Sequence, residues 1–171
     1  MPNIYLCGFM GCGKSTVGKA LAAILNRPFH DLDDYIVERQ GKSIPQIFAE
    51  DGEPAFRRME SNALDDLPDE VVVALGGGTL THRGNIERVK HKGQIVLLDA
   101  PFELCYQRIR TDANRPVAAR STEDELRLLY SRRRQICAEA ADYMQSIPLE
   151  DAGPPEACAY DIVHGLGLDS P

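Results

Sequence analysis

The chain has no apolar run of membrane-spanning length, no low-complexity stretch, no internal repeat and no excess of positive charge, and each absence removes a class of function. With 19 Lys and Arg against 26 Asp and Glu, its formal net charge is −7. A general nucleic-acid binder or an anionic-membrane binder needs the opposite balance. Basic residues must therefore act locally, in a cleft. Met1-Pro2-Asn3 leads directly into a strand pattern with no basic n-region, so neither export nor membrane insertion is expected, and the expected location is the cytoplasm. The five cysteines are odd in number and lack the close paired spacing of a zinc site; they are expected to be free thiols in a reducing compartment. At 171 residues the chain reads as one domain, 1–171, able to bury a substantial core.

What is present is concentrated near the start. Gly8-Phe9-Met10-Gly11-Cys12-Gly13-Lys14-Ser15-Thr16 fits the pattern G-x-x-x-x-G-K-[ST] between the apolar run Ile4-Tyr5-Leu6-Cys7 and an amphipathic stretch. In such a loop, backbone N–H groups converge on a polyphosphate. A helix N-terminus adds its dipole, the lysine adds a mobile charge, and the serine hydroxyl serves Mg2+. An ordinary Gly-rich turn with an exposed lysine is the alternative. Against it, Val17, Ala20, Leu21, Ile24 and Leu25 form a helical apolar stripe directly after the loop. The implied ligand is a nucleoside triphosphate with magnesium. Cys12 reads as a small residue tolerated among glycines, although oxidation there could block nucleotide binding.

Short apolar runs alternate with helical patterns. Strands are expected at residues 3–7, 28–32, 71–75, 94–98 and near 144–149, with helices from Lys14, across 34–67, from Phe102, from Thr122 and at the C-terminal end. This alternation predicts an α/β fold with helices on both faces of a parallel sheet. Val71 to Leu75 and Ile95 to Leu98 are apolar at consecutive positions, as in strands buried on both faces. Ser43 with Gln46 and Thr122 with Glu125 have capping-box spacing, and Pro54 and Pro101 suit first helical turns.

Open sheets of this kind bind ligands beyond the carboxyl ends of their strands, so the residues after each strand carry the chemistry. Alternation along Asp31-Leu32-Asp33 can direct one carboxylate toward a metal and the other toward a second substrate. Asp31 could then hold Mg2+ through its water shell, and Asp33 could accept the proton of an attacking hydroxyl. Equally, Asp31 to Asp34 is a common kind of acidic helix start. Gly76-Gly77-Gly78-Thr79 is a bare segment that a ligand can approach closely, or a flexible turn. Arg57 lies on a helix whose apolar face is Phe56, Met59, Ala63 and Leu67, and a guanidinium can grip a carboxylate bidentately; most helix arginines are simply solvated. Residues 108–120 mix arginines with turn formers. They read as a lid in which Arg115 neutralises a transferring phosphoryl group while closure excludes water. One member of Arg132-Arg133-Arg134 could reach a substrate anion.

Taken together, these segments resemble the shikimate kinases of the bacterial type over nearly the whole chain. The matching residues are the phosphate loop, Asp31-x-Asp33, Ser43-Ile44-x-x-Ile47-Phe48-x-x-x-Gly52-Glu53, Phe56-Arg57-x-x-Glu60, Gly76-Gly77-Gly78, Arg115-Pro116, and Arg133 ahead of Ala141-Asp142. The resemblance implies a three-layer, nucleoside-monophosphate-kinase-like fold with a five-stranded parallel sheet, an acceptor-binding helical region at about 33–62 and a lid at about 111–122. It implies a transferase that moves the γ-phosphate of ATP to the 3-hydroxyl of shikimate, on the way to chorismate and the aromatic amino acids. Lys14, Asp33 and Arg115 would be catalytic. ATP would meet Gly11, Cys12, Gly13, Lys14, Ser15, Thr16, Arg110 and Arg115. Shikimate would meet Asp33, Arg57, Gly77, Gly78 and Arg133, and Ser15 and Asp31 would hold one Mg2+ per subunit. The expected partners are the two small-molecule substrates, with no nucleic acid or membrane, and the expected state is a monomer.

The chain departs from the family pattern in three places. Arg133-Arg134-Gln135-Ile136-Cys137 stands where Arg-x-Pro-Leu-Tyr is usual, Val117 where leucine commonly follows Arg-Pro, and Ile147 to Pro155 match the usual Ile-Asp-Thr adenine loop poorly. A gluconate-type small-molecule kinase and a non-catalytic sensor are the rival readings. The Arg57 and Arg133 clamp with triple glycine speaks against the first. The presence of Lys14, Ser15, Asp31, Asp33 and Arg115 together speaks against the second.

Overall fold

The computed structural model describes residues 1–110, 120–150 and 153–169. Strands β1 (Asn3–Cys7), β2 (Phe29–Asp31), β3 (Val72–Ala74), β4 (Gly93–Asp99) and β5 (Tyr143–Ser146) form one sheet in the order β2-β3-β1-β4-β5. Every pairing is parallel. Around the sheet lie α1 (Lys14–Leu25), α2 (Leu32–Gln40), α3 (Ile44–Glu50), α4 (Glu53–Asp66), α5 (Asn85–Lys92), α6 (Phe102–Ile109), α7 (Glu123–Ala140) and α8 (Pro155–Gly165).

Two-faced burial explains the apolar runs. Side chains alternate along a strand, so Ile4, Leu6, Val96 and Leu98 enter one core with α1, α6 and α8. Tyr5, Cys7, Ile95 and Leu97 enter the other with α2, α4 and α5. Helix α7 joins both: Leu126 packs on the first side, and Cys137 and Ala140 on the second. Its middle, where Arg133 sits, lies between the two cores.

Caps set the local boundaries. The Ser43 and Thr122 hydroxyls accept from the backbone N–H groups of Gln46 and Glu125, each at 3.2 Å, and Pro54 occupies the first turn of α4. Pro101 instead takes the N-cap of α6, with an extended ψ of 148°. The second strand ends at Asp31 and not at Leu32 because Asp31 caps α2, its Oδ1 accepting from Asp34 N at 3.2 Å. The last strand is Tyr143–Ser146, three residues short of the expected end at Leu149. Of the expected lid, residues 111–119 lie outside the described residues, while Thr122 is the N-cap of α7.

Candidate active site

A cavity of about 450 Å³ opens beyond the carboxyl ends of β1, β2 and β3. Its floor is the phosphate loop. Gly8 has φ 151°, and a Cβ there would lie 2.7 Å from Cys12 Sγ and 2.8 Å from Leu98 O, so only glycine fits. Gly13, with φ 101°, is the N-cap of α1, and Lys14, Ser15 and Thr16 line the cavity from that helix N-terminus. Lys14 Nζ donates to Gly8 O at 2.8 Å and Phe9 O at 3.1 Å. Cys12 is buried, with its sulfur 3.8 Å from Lys14 Nζ.

The two readings of Asp31 prove compatible. While Oδ1 caps α2, Oδ2 accepts a hydrogen bond from Ser15 Oγ. A serine hydroxyl beside a carboxylate at a phosphate loop is a hard oxygen donor set, suited to a cation that takes one or two protein oxygens and completes its shell from water and phosphate. Asp33 belongs to the first turn of α2 and not to a strand end. Helical geometry, rather than strand alternation, therefore separates its carboxylate from that of Asp31. Both aspartates line the cavity.

Triple glycine makes room for side chains. A Cβ on Gly76 would lie 3.0 Å from Glu60 Oε2 and 3.1 Å from Asp33 Oδ1. On Gly78 it would lie 2.8 Å from Arg133 Nη2 and 2.9 Å from both Nη atoms of Arg57. The two guanidiniums thus converge beside one bare residue. Arg57 is held by Glu60, Nη1 to Oε1 at 2.6 Å, and by the exposed Glu53 at 3.3 Å. Burial pulls its pKa down, but the charge and hydrogen bond of Glu60, helped by Glu53, more than reverse that, and the net shift is upward. Arg133 is 8% exposed. Burial first, and the Arg57 charge second, bring its pKa down to about 10. Two guanidiniums brought together at one bare residue can receive an anion.

The structure also separates the three neighbouring arginines. Arg132 is exposed, and Arg134 grips Asp99 bidentately at 2.8 and 2.7 Å. Arg133 is the one turned inward.

Three features escaped sequence reasoning or were assigned no role. Glu60, at 0% exposure, interrupts the apolar stripe of α4; a charge within such a stripe, three residues after Arg57, was the available signal. Arg108 lines the cavity and donates to Gly11 O at 2.9 Å. Its α6 neighbours pack on the loop, since a Cβ on Gly11 would meet Ile109 Cγ2 at 2.9 Å and Cys105 O at 3.0 Å. Arg110 is the exposed C-cap of α6. Gly153, Pro154 and Pro155 line the cavity with Arg108. Arg115 lies outside the described residues.

The family model for shikimate kinase matches residues 10–165. The shikimate kinase of Aquifex aeolicus is 39% identical over 166 residues, covering 96% of this chain and 95% of the relative. That of Acinetobacter baylyi is 42% identical over 147 residues, covering 84% and 82%. Among solved structures, the shikimate kinase from Acinetobacter baumannii in complex with shikimate superposes with a TM-score of 0.90 at 38% identity, covering 99% of this chain and 95% of that one. With the phosphate loop and both carboxylates lining the cavity and the paired arginines converging at Gly78 beside it, the chain belongs to the shikimate kinase family.

Proposed function

We propose that this kinase transfers the γ-phosphoryl group of ATP to the 3-hydroxyl of shikimate, with the following residues in the following roles. The observation that carries the assignment is the convergence of Arg57 and Arg133 at Gly78 in a fold whose same strand ends carry a phosphate loop. An acceptor with a carboxylate at the arginines presents its far hydroxyls toward Asp33 and the loop. The Gly77 and Gly78 backbone meets the acceptor's polar groups. Asp33 accepts a hydrogen bond from the reacting hydroxyl and takes its proton as the phosphoryl group arrives.

Lys14 leaves its loop carbonyls to follow the β- and γ-phosphates, and Arg115 completes the charge around the transferring group when residues 111–122 act as a lid. Ser15 and Asp31 are the residues that would hold one Mg2+, and when bound it would supply positive charge to offset that on the phosphates. Gly11, Cys12, Gly13 and Thr16 surround the phosphates. Arg108, Pro154 and Pro155, which line the same cavity, offer a flat cationic surface and proline rings to the base, with Arg110 at the root of the lid. Helices α2 to α4, about residues 33–62, form the acceptor region of one kinase unit spanning 1–171.

The five cysteines are unpaired thiols, which supports a reducing cytoplasm, and the chain acts as a monomer on its two small-molecule substrates without nucleic acid or membrane. Asp33→Asn tests the catalytic assignment. It keeps the shape and removes the base, so kcat should fall about 100-fold or more while ATP affinity stays within about twofold. Unchanged turnover would remove Asp33 from the mechanism.

A further inference from the structure

Arg57 owes its direction to a buried carboxylate of its own helix. Its link to Glu53 is exposed and 3.3 Å long, a kind of pair that orients little. Its link to Glu60 is short and buried, so where Glu60 points, Arg57 follows. Glu60 is a fully buried carboxylate, which the fold tolerates only with both oxygens engaged. Oε1 takes Arg57. Oε2 takes the hydroxyl of Thr79, Oγ1 to Oε2 at 2.5 Å in a buried setting.

Thr79 is itself fixed. Asn85 Nδ2 donates to Thr79 O at 2.9 Å, and Asn85 Oδ1 accepts from Ser61 Oγ at 2.8 Å. The circuit thereby returns to α4, one residue from Glu60. Thr79 also directly follows Gly78, beside which both guanidiniums lie. One short turn thus supplies the bare space the arginines occupy and the hydroxyl that aims one of them.

We infer that Thr79 is a positioning residue for acceptor recognition: its hydroxyl holds Glu60, and through Glu60 it sets the direction in which Arg57 meets the acceptor's anion. This rests on the shikimate reading above. Without the hydroxyl, Oε2 is buried with its donor gone, the carboxylate rotates to recover one, and the guanidinium loses its alignment. None of the hydrogen bonds of this circuit runs to the phosphate loop.

The test is steady-state kinetics of Thr79→Val, Thr79→Ala and Thr79→Ser with both substrates varied. Valine keeps the shape without the hydroxyl; alanine removes the hydroxyl without placing an apolar methyl against a carboxylate, so one of the two remains informative if the other fails to fold. Both should raise KM for shikimate about tenfold, with kcat and KM for ATP within about twofold of the parent, and serine should restore the parent value. An unchanged KM for shikimate overturns the inference. So does a loss shared equally by both substrates and by the serine variant, since that pattern belongs to packing. A parent enzyme with no shikimate-dependent turnover, by contrast, overturns the shikimate reading itself.

Discussion

At the scale of single residues, the balance of charge around Gly78 sets both function and stability. Burial first, and the Arg57 charge second, bring the Arg133 pKa from the ordinary guanidinium range down to about 10 in the fold. A cation whose pKa falls on folding is held less well by the native state than by the unfolded chain. Its cost is fully present below about pH 10 and is relieved as pH rises through 10 toward the ordinary guanidinium range. Arg133→Met should therefore raise the melting temperature at pH 7 while weakening shikimate binding about 100-fold or more; a lower melting temperature contradicts the account. The same sign predicts that shikimate affinity, measured by calorimetry, is flat from pH 7 to 9 and declines above about 10. Arg57, whose pKa is raised, keeps its charge across that range.

Among the secondary-structure elements, the turn after β3 is the one that assembles the acceptor end, and its glycines act through space. Gly78 has φ −111°, a conformation open to any residue, so Gly78→Ala strains no backbone. Its Cβ would instead lie 2.8–2.9 Å from both guanidiniums. The expected result is a KM for shikimate raised about tenfold or more, with ATP affinity and melting temperature nearly unchanged; a parent-like KM would mean the arginines meet the acceptor elsewhere. What was legible in the chain follows the same divide between near and far. The phosphate loop, the capping boxes at Ser43 and Thr122 and the doubly buried strands are patterns within a few residues, and they were readable. Asp31 looked like the inside of a strand because its role as a cap shows only in a hydrogen bond to Asp34. Glu60 and Thr79 are 19 residues apart, and Arg108 meets Gly11 across 97; no local periodicity connects such pairs. Cys137, one of the departures from the family pattern, is buried with Cys7 in the second core, and neither lines the cavity.

For the molecule as a whole, an acidic protein gathers its functional cations at the carboxyl edge of its sheet, Lys14 and Arg108 lining the cavity and Arg57 and Arg133 converging at Gly78. Its net charge is −7, yet Lys14, Arg57, Arg108 and Arg133 cluster where the sheet's carboxyl edge meets α1, α4, α6 and α7. Such an arrangement selects small anions by fit and not by long-range attraction. Among the described residues, no helix is long and apolar enough to cross a membrane. The central claim is that the phosphate loop and the paired arginines act on one acceptor. It is tested most directly by following ADP release from MgATP with shikimate and with gluconate in parallel, and locating the new phosphate by NMR. The account predicts ADP release that depends on shikimate and matches, mole for mole, a product phosphorylated at the 3-hydroxyl. Turnover of gluconate without turnover of shikimate would contradict it.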